Sequence, residues 1–277
     1  MDKKLIAIDL DGTLLNSDGI VSDATKLHLQ KLKEKGHIIT IATGRILNRA
    51  LVGTDGAEFA NYIVSDAGAA VFKNDGINKE WKEVYTQALS KDIVENIASY
   101  YDKGKFMTIN ICDRNNIHHY DQTVNITEFL ENINEIIHVS VSFINNEFVE
   151  EYLKIFTKKF PMLKVEIMQD SFGEVKWLEI AQKGVEKYKG IVEVAKLEGI
   201  LNGKICFIDF GIVGILNENI IAFGDGLNDV EMLKKCGIGV AMQNALPKVK
   251  EKADYITFRT NNENGVVEFL KEYLVDI

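Results

Sequence analysis

Acidic residues follow two of the apolar runs that predict buried strands. Asp9 comes directly after the run Leu5–Ile8, and Asp11 lies two residues further along. Asp225 and Asp229 lie in a later glycine-containing loop that follows another apolar run. In an open parallel sheet, ligands bind at the edge formed by the carboxyl ends of the strands, so we expect these side chains to meet there.

Four carboxylates at one edge of a sheet would repel one another. Side chains two residues apart lie on the same side of an extended chain, so Asp9 and Asp11 are expected to point the same way. Two unit charges ~4 Å apart interact by roughly 4 kcal/mol at an effective dielectric of about 20, and a cation would relieve that repulsion. Oxygen ligands without His or Cys favour Mg²⁺, which keeps several waters and attracts a phosphate group.

Glycine-containing turns at the same strand ends are suited to hold that phosphate. Their backbone N–H groups can approach phosphate oxygens closely, because glycine has no Cβ. Thr43, in the loop Thr43-Gly44-Arg45, and Asn228 can add side-chain hydrogen bonds. For Arg45 two interpretations stay open: it pairs with a carboxylate and braces its loop, or it faces the substrate.

Alternating strands and helices predict the fold class. The chain has 277 residues, 46% of them hydrophobic and 26% charged, which is typical of an ordinary globular protein. Short buried strands alternate with helices over 1–82 and 185–277, which predicts an α/β core domain with a doubly wound, Rossmann-like parallel sheet. Residues 83–184 contain strands of alternating polarity, which predict an inserted α+β domain with an antiparallel sheet.

Charge and cysteine content exclude some partners. The formal net charge of −9 opposes binding to nucleic-acid phosphates and to anionic lipids. The longest apolar stretch, Ile205 to Leu216, contains Asp209 and is too short to span a bilayer, and the N-terminus does not resemble a signal peptide. Three cysteines far apart predict no disulfide framework and indicate a cytoplasmic protein. The oligomeric state stays open.

Several segments resemble motifs of the haloacid dehalogenase-like phosphohydrolases. The first to fourth motifs are similar to DLDGTLL (Asp9–Leu15), ATGR (Ala42–Arg45), KGVEKYKGI (Lys183–Ile191) and GDGLND (Gly224–Asp229). Two later segments, GVAMQNA (Gly239–Ala245) and NNENGV (Asn261–Val266), resemble the Cof-like subgroup. The resemblance implies that the inserted domain is the large α/β cap of that subgroup, which determines substrate specificity.

The resemblance also implies roles for the site residues. Asp9 would attack phosphorus and form an aspartyl-phosphate, while Asp11 would act first as general acid and then as general base. Mg²⁺ would be bound by Asp9, Asp225 and the backbone carbonyl of Asp11, with Asp229 acting directly or through water. The phosphoryl oxygens would be held by the backbone amides of Leu10 and Gly44 and by the side chains of Thr43, Asn228 and Lys187. Lys183 and Lys189 stay open as alternatives to Lys187.

The function implied is Mg²⁺-dependent hydrolysis of small cytoplasmic phosphates, such as sugar phosphates or flavin mononucleotide-like compounds. One alternative is a sugar phosphomutase of the same superfamily, which needs a phosphate trap in the cap. The other is a non-catalytic phospho-acceptor or regulatory module, since receiver-like domains also use an Asp cluster, Mg²⁺ and a Lys. Such modules lack the second Asp of the first motif, so Asp11 favours turnover.

The sequence departs from the subgroup at two places. Ala67 stands where an Asn is common, so one polar contact is either lost or replaced by Asp66. An additional apolar segment, Leu201–Ile215, precedes the strand of the fourth motif, and we assign no function to it.

Overall fold

The computed structural model describes residues 3–76, 80–114, 116–169, 174–200, 207–208, 211–212 and 218–274. The strands are β1 (Leu5–Ile8), β2 (Ile38–Ala42), β3 (Tyr62–Ser65), β4 (Ala70–Asn74), β5 (Trp81–Thr86), β6 (Phe106–Cys112), β7 (Ile117–Tyr120), β8 (His138–Phe143), β9 (Leu163–Gln169), β10 (Lys176–Gln182), β11 (Phe207–Ile208), β12 (Gly211–Ile212), β13 (Ile220–Gly224), β14 (Ile238–Ala241) and β15 (Tyr255–Ile256). The helices are α1 (Asp23–Glu34), α2 (Leu47–Thr54), α3 (Lys91–Ala98), α4 (Ile126–Leu130), α5 (Asn146–Lys159), α6 (Lys187–Leu197), α7 (Val230–Lys235), α8 (Pro247–Lys250) and α9 (Gly265–Tyr273).

The chain forms two compact units. The core unit combines the residues up to Tyr85 with those from Glu186 onward, and the inserted unit is Thr86–Val185. The core unit contains an eight-stranded sheet in the order β15-β14-β13-β1-β2-β3-β4-β5. Strands β15 to β3 of this order pair in parallel, and β4 runs antiparallel to β3. The predicted α/β fold with a parallel-sheet core is confirmed, whereas β4 and β5 were not predicted.

The central strands of the core sheet are mostly apolar and are buried along their whole length. Every residue of β1, β2, β3 and β13 is buried, as expected for strands covered on both faces. Helix α6 packs on β2 and β3 and against α7, while α1 packs on β2 and against α9. Helix α1 begins directly after Ser22, whose hydroxyl oxygen caps the helix by accepting a hydrogen bond from the N–H of Thr25 at 3.1 Å.

The inserted unit is built on a five-stranded antiparallel sheet. Its strand order is β7-β6-β8-β10-β9. Apolar and polar residues alternate along β8, where Val139, Val141 and Phe143 are buried and the residues between them are partly exposed. Helix α5 packs on β8, β9 and β10. This confirms the predicted α+β unit, although β7 was not predicted.

The additional segment Leu201–Ile215 lies outside the described residues, apart from the two-residue strands β11 and β12, which pair antiparallel. Across the described part of the chain, the helices are too short or too polar to cross a membrane. Cys112 and Cys236 are buried and form no disulfide.

Candidate active site

The two loops that carry the acidic residues lie side by side because β1 and β13 are neighbours. Ile8 is in register with Phe223, and the N–H of Asp9 donates to the carbonyl oxygen of Phe223 at 3.1 Å. Within the sheet, β2 lies next to β1 on one side, and β13, which comes much later in the chain, lies next to β1 on the other side. Such a reversal of strand order is where open α/β sheets bind ligands.

Three carboxylates form a cluster at this edge. Oxygens of Asp9, Asp225 and Asp229 all lie within 4.8 Å of one another. Asp9 is only 5% exposed and Asp229 is fully buried. One oxygen of Asp229, Oδ2, accepts hydrogen bonds from the backbone N–H groups of Asp225 at 3.0 Å and Gly226 at 2.9 Å. These bonds close the loop after β13 around the cluster.

Lys187, the first residue of α6, lies inside this cluster. Its Nζ is 2.6 Å from Oδ1 of Asp9 and 2.7 Å from Oδ1 of Asp229, and the residue is 2% exposed. Lys183 is exposed, and its Nζ donates to the carbonyl oxygen of Pro161 at 3.4 Å. Within the core unit, the structure therefore brings Lys187 to the acidic residues.

Burial and charge act in opposite directions on this group. Burial raises the pKa of Asp9 to about 7, although the positive charge of Lys187 opposes the shift. Burial also raises the pKa of Asp225, against a hydrogen bond from Thr13. For Lys187, burial lowers the pKa, but Asp9 and Asp229 outweigh it and the net direction is upward. One lysine cannot neutralise three ionised carboxylates, so the cluster is suited to a divalent cation.

The carboxylate of Asp11 lies elsewhere, in contrast to the expectation that Asp9 and Asp11 point the same way. The chain leaves the extended conformation after Asp9, because the N–H of Leu14 donates to the carbonyl oxygen of Asp9 in a tight turn. The side chain of Asp11 is 61% exposed and is bound by Arg45. The bonds join Nε to Oδ2 at 2.9 Å and Nη2 to Oδ1 at 2.5 Å. Within the described residues, the carboxylate cluster contains three members and not four.

Two glycines allow close approaches at the site. Gly12 has a φ of +77°, and a Cβ there would lie 2.3 Å from Oδ2 of Asp225. The next residue, Thr13, donates its hydroxyl to Oδ1 of Asp225 at 2.8 Å. Gly68 has a φ of +108°, and a Cβ there would lie 2.1 Å from the carbonyl oxygen of Glu186, which precedes Lys187. Both positions favour glycine for conformation and for space.

The remaining predicted phosphate-binding residues lie at the same sheet edge. Thr43 is buried directly after β2, and its hydroxyl oxygen accepts the N–H of Arg45 at 3.1 Å. Gly44 is exposed beside it, and Asn228 is exposed in the loop after β13. The side chain of Leu10 is fully buried, and its backbone N–H donates a hydrogen bond to the carboxylate of Asp9.

Two asparagines that were not predicted as site residues brace the turn after Asp9. The Nδ2 of Asn244 donates to the carbonyl oxygen of Gly12 at 2.7 Å, and its Oδ1 accepts the N–H of Asn261 at 3.0 Å. Asn261 in turn donates from Nδ2 to the carbonyl oxygen of Leu15 at 2.8 Å. The signal for both lay in the later segments that resemble the Cof-like subgroup.

The turn after β3 contains the first departure from the subgroup. Asp66 and Ala67 have φ values of 49° and 54°. The Oδ2 of Asp66 accepts the hydroxyl of Ser65 at 2.7 Å, and its backbone N–H donates to the carbonyl oxygen of Arg45. Asp66 thus ties this turn to the loop after β2.

The structure combines an α/β core, an acidic site with a lysine at the switch point, and an inserted unit with an antiparallel sheet. This is the arrangement expected from the resemblance to a class of phosphoric monoester hydrolases. Residues 6–208 and 210–270 match the family model described as haloacid dehalogenase-like hydrolase. The chain belongs to this family, so the predicted family and enzyme class are confirmed.

Similar proteins cover almost the whole chain. YitU of Bacillus subtilis (strain 168), named a 5-amino-6-(5-phospho-D-ribitylamino)uracil phosphatase, is 30% identical over 284 residues, which are 97% of this chain and 97% of YitU. YcsE of the same organism carries the same activity in its name and is 29% identical, over 99% of this chain and 97% of its own. Among solved structures, the HAD subclass IIB sugar phosphatase BT4131 is 25% identical with a TM-score of 0.65, over 99% of this chain and 100% of its own.

Proposed function

We propose that this protein is a Mg²⁺-dependent phosphatase that transfers a phosphoryl group to Asp9 and then hydrolyses the aspartyl-phosphate. The observation that carries the proposal is the position of Lys187, whose ammonium group contacts Asp9 and Asp229 in the cluster that also contains the half-buried Asp225. A carboxylate held through one oxygen presents the other to an electrophile. The lysine also provides positive charge for the equatorial oxygens of a phosphoryl group.

The reaction divides into two displacements at phosphorus. In the first, an oxygen of Asp9 bonds to phosphorus, the bond to the substrate oxygen breaks, and Asp11 gives its proton to that oxygen. In the second, a water oxygen bonds to phosphorus and loses a proton to Asp11, while the bond between phosphorus and Asp9 breaks. Inorganic phosphate leaves, and both side chains return to their starting state.

The donors at the site fit Mg²⁺. The cluster offers carboxylate oxygens only, with no His or Cys, which is the ligand set of a hard cation. We assign Asp9, Asp225 and the backbone carbonyl of Asp11 as ligands. Both oxygens of Asp229 already accept hydrogen bonds, so we place this residue as a support that acts through water. When bound, Mg²⁺ neutralises negative charge on the phosphoryl group and the carboxylates.

The phosphoryl oxygens would be held by a ring of donors around the cluster. The hydroxyl oxygen of Thr43 already accepts the N–H of Arg45, so its proton remains to donate to the phosphoryl group. The other donors are the backbone amides of Leu10 and Gly44 and the side chains of Lys187 and Asn228.

The substrate that we propose is a small phosphorylated sugar or polyol in the cytoplasm. The names of YitU and YcsE make 5-amino-6-(5-phospho-D-ribitylamino)uracil the first compound to test, and BT4131 makes sugar phosphates the second. We assign residues 1–82 and 185–277 to the hydrolase core domain and residues 83–184 to a cap domain that selects the leaving group. The acidic chain makes nucleic acid an unfavourable substrate.

The test is phosphate release from a panel of phosphorylated metabolites and from p-nitrophenyl phosphate. We expect turnover that EDTA removes and Mg²⁺ restores. Asp9→Asn should lower turnover about 10³-fold or more, whereas Asp18→Asn, an exposed aspartate in the following turn, should not change it. Substantial turnover by Asp9→Asn, or turnover that EDTA leaves intact, would overturn the proposal.

A further inference from the structure

Arg45 fixes both the position and the orientation of the Asp11 carboxylate. Its Nε and Nη2 each donate to a different oxygen of Asp11, at 2.9 and 2.5 Å. A planar guanidinium that binds both oxygens restricts rotation of the carboxylate as well as its displacement. Asp11 is mostly exposed, so packing alone would leave its side chain several rotamers.

The guanidinium of Arg45 itself lies in a space provided by helix α2. Its Nη1 donates to the carbonyl oxygen of Arg49 at 3.4 Å. A Cβ added at Gly53 would lie 2.7 Å from this same Nη1. Gly53 lies inside α2 and outside the left-handed region of backbone conformation, so the helix has no conformational need for glycine there. The absent side chain leaves room for the guanidinium.

The base of the Arg45 side chain is fixed as well. The backbone N–H of Arg45 donates to the hydroxyl of Thr43, and its carbonyl oxygen accepts the N–H of Asp66 at 3.0 Å. Both ends of the Arg45 side chain are therefore held by groups that belong to the core unit. This is the arrangement expected of a residue that orients another one.

We propose that Arg45 is a positioning residue for Asp11, and that Gly53 contributes by leaving the space in which the guanidinium lies. The inference rests on the proposed function, in which Asp11 protonates the leaving oxygen. It selects the carboxylate-pairing interpretation of Arg45 over direct contact with the substrate. Arg45 then affects the reaction through Asp11, and its effect depends on how much the leaving group needs a proton.

Phenyl phosphate and p-nitrophenyl phosphate, whose leaving groups contain the same ring, distinguish the positioning role of Arg45 from a general structural role. p-Nitrophenolate leaves as a stabilised anion, whereas unsubstituted phenolate is more basic and gains more from protonation. General acids contribute roughly 10²–10⁴-fold to such reactions. We expect Arg45→Ala to lower kcat/KM about 10-fold for phenyl phosphate and less than about 3-fold for p-nitrophenyl phosphate, with Arg45→Lys in between because it makes a one-point contact. Equal losses on both substrates would overturn the inference.

Gly53→Ala tests the same role without removing the arginine. The new methyl group should displace the guanidinium, while alanine in a helix interior should not lower the melting temperature. We expect kcat/KM for phenyl phosphate to fall about 3-fold, which is a smaller loss than the one expected for Arg45→Ala. The matched control is Val52→Ala, a neighbour on α2 that is 84% exposed and should behave like the wild type. If Gly53→Ala and Val52→Ala have the same activities, Gly53 has no part in positioning.

Asp11→Asn distinguishes failure of this inference from failure of the proposed function. It should show the same preference for the better leaving group, with a larger loss on phenyl phosphate than Arg45→Ala. If Asp11→Asn lowers kcat/KM, which reports the first phosphoryl transfer, equally for both substrates, Asp11 is not the acid and the proposed function fails at that residue. If Asp11→Asn discriminates between them and Arg45→Ala does not, only the positioning role is overturned.

Discussion

The ammonium group of Lys187 lies 2.6 Å from Oδ1 of Asp9, although 178 positions separate the two residues in the chain. Asp9 belongs to the core segment before the inserted unit, and Lys187 belongs to the segment after it. The same ammonium group also contacts Asp229, so one buried cation joins the ends of β1 and β13. The cluster of acidic residues therefore depends on the pairing of β1 with β13 and on the position of α6 beside them.

Removal of this cation should destabilise the protein. Lys187→Met keeps a long side chain but leaves Asp9 and Asp229 buried without their counter-charge. Loss of one partner from a buried ion pair costs roughly 3–5 kcal/mol, so we expect the free energy of unfolding in EDTA to fall by about that amount. Urea denaturation measures it, and Mg²⁺ should restore part of the loss. Lys189→Met, on the same helix and less buried, is the control; the same urea midpoint for both variants would contradict the account.

The close approach of Gly12 to Asp225 and the left-handed backbone conformation of Gly12 can be tested separately. Gly12 and Gly19 have φ values of +77° and +74°, but a Cβ at Gly19 would meet no atom within 4 Å, whereas one at Gly12 would strike Asp225. Each Ala variant should lose about 1–2 kcal/mol from the left-handed backbone. Gly12→Ala should also lose most of its phosphatase activity, because the carboxylate of Asp225 is displaced. Comparable activities for the two variants would show that Asp225 does not need its present position.

Glu198 should make stability depend on acidic pH. Burial alone would raise the pKa of Glu198, but hydrogen bonds from Lys3, Tyr62 and Lys73 outweigh it and lower the pKa to about 2. A lowered pKa adds stability that is fully present above the ordinary value of 4.5 and is lost as pH falls toward 2.

The comparison that tests this is Glu198→Gln against the wild type. Because Lys3 and Lys73 are about half exposed and solvent screens them, we expect a difference of roughly 2 kcal/mol at neutral pH. The difference should shrink steadily below pH 4.5. Glu268→Gln, at a surface ion pair, should show almost no such change. A Glu198→Gln difference that stays constant from neutral pH to about pH 3 would contradict the role of this carboxylate.

The parts of the site that could be predicted from the sequence follow from two simple rules. Fully buried strands have continuous apolar runs, so the ends of β1 and β13 could be recognised, and parallel strands bring such ends to one edge. The positions of Asp9 and Asp225 follow from those rules. A helix cap such as Ser22 also follows a local rule, because serine commonly precedes the first residue of a helix.

The features that were missed depend on contacts distant in the chain or on irregular backbone. The direction of Asp11 could not be predicted, because the extended-chain rule fails at the tight turn after Asp9. The partner of Arg45 is Asp11, which lies 34 positions away in the chain, so it could not be identified from the sequence neighbours of Arg45. Apolar and polar residues do not alternate in the sequences of β5 (WKEVYT) and β7 (IHHY), so hydrophobic periodicity gave no signal for these strands.

The role of Asp9 as the nucleophile can be tested directly by locating the phosphoryl group on the enzyme. Asp11→Asn enzyme is mixed with p-nitrophenyl phosphate and Mg²⁺, quenched with acid and mapped by mass spectrometry. Transfer to Asp9 needs no proton with this leaving group, while the attack of water lacks its base, so the intermediate should accumulate. We expect a phosphoryl group on the peptide that carries Asp9, approaching one per chain. Release of p-nitrophenolate beyond the amount of enzyme, with no phosphoryl group on that peptide, would contradict it.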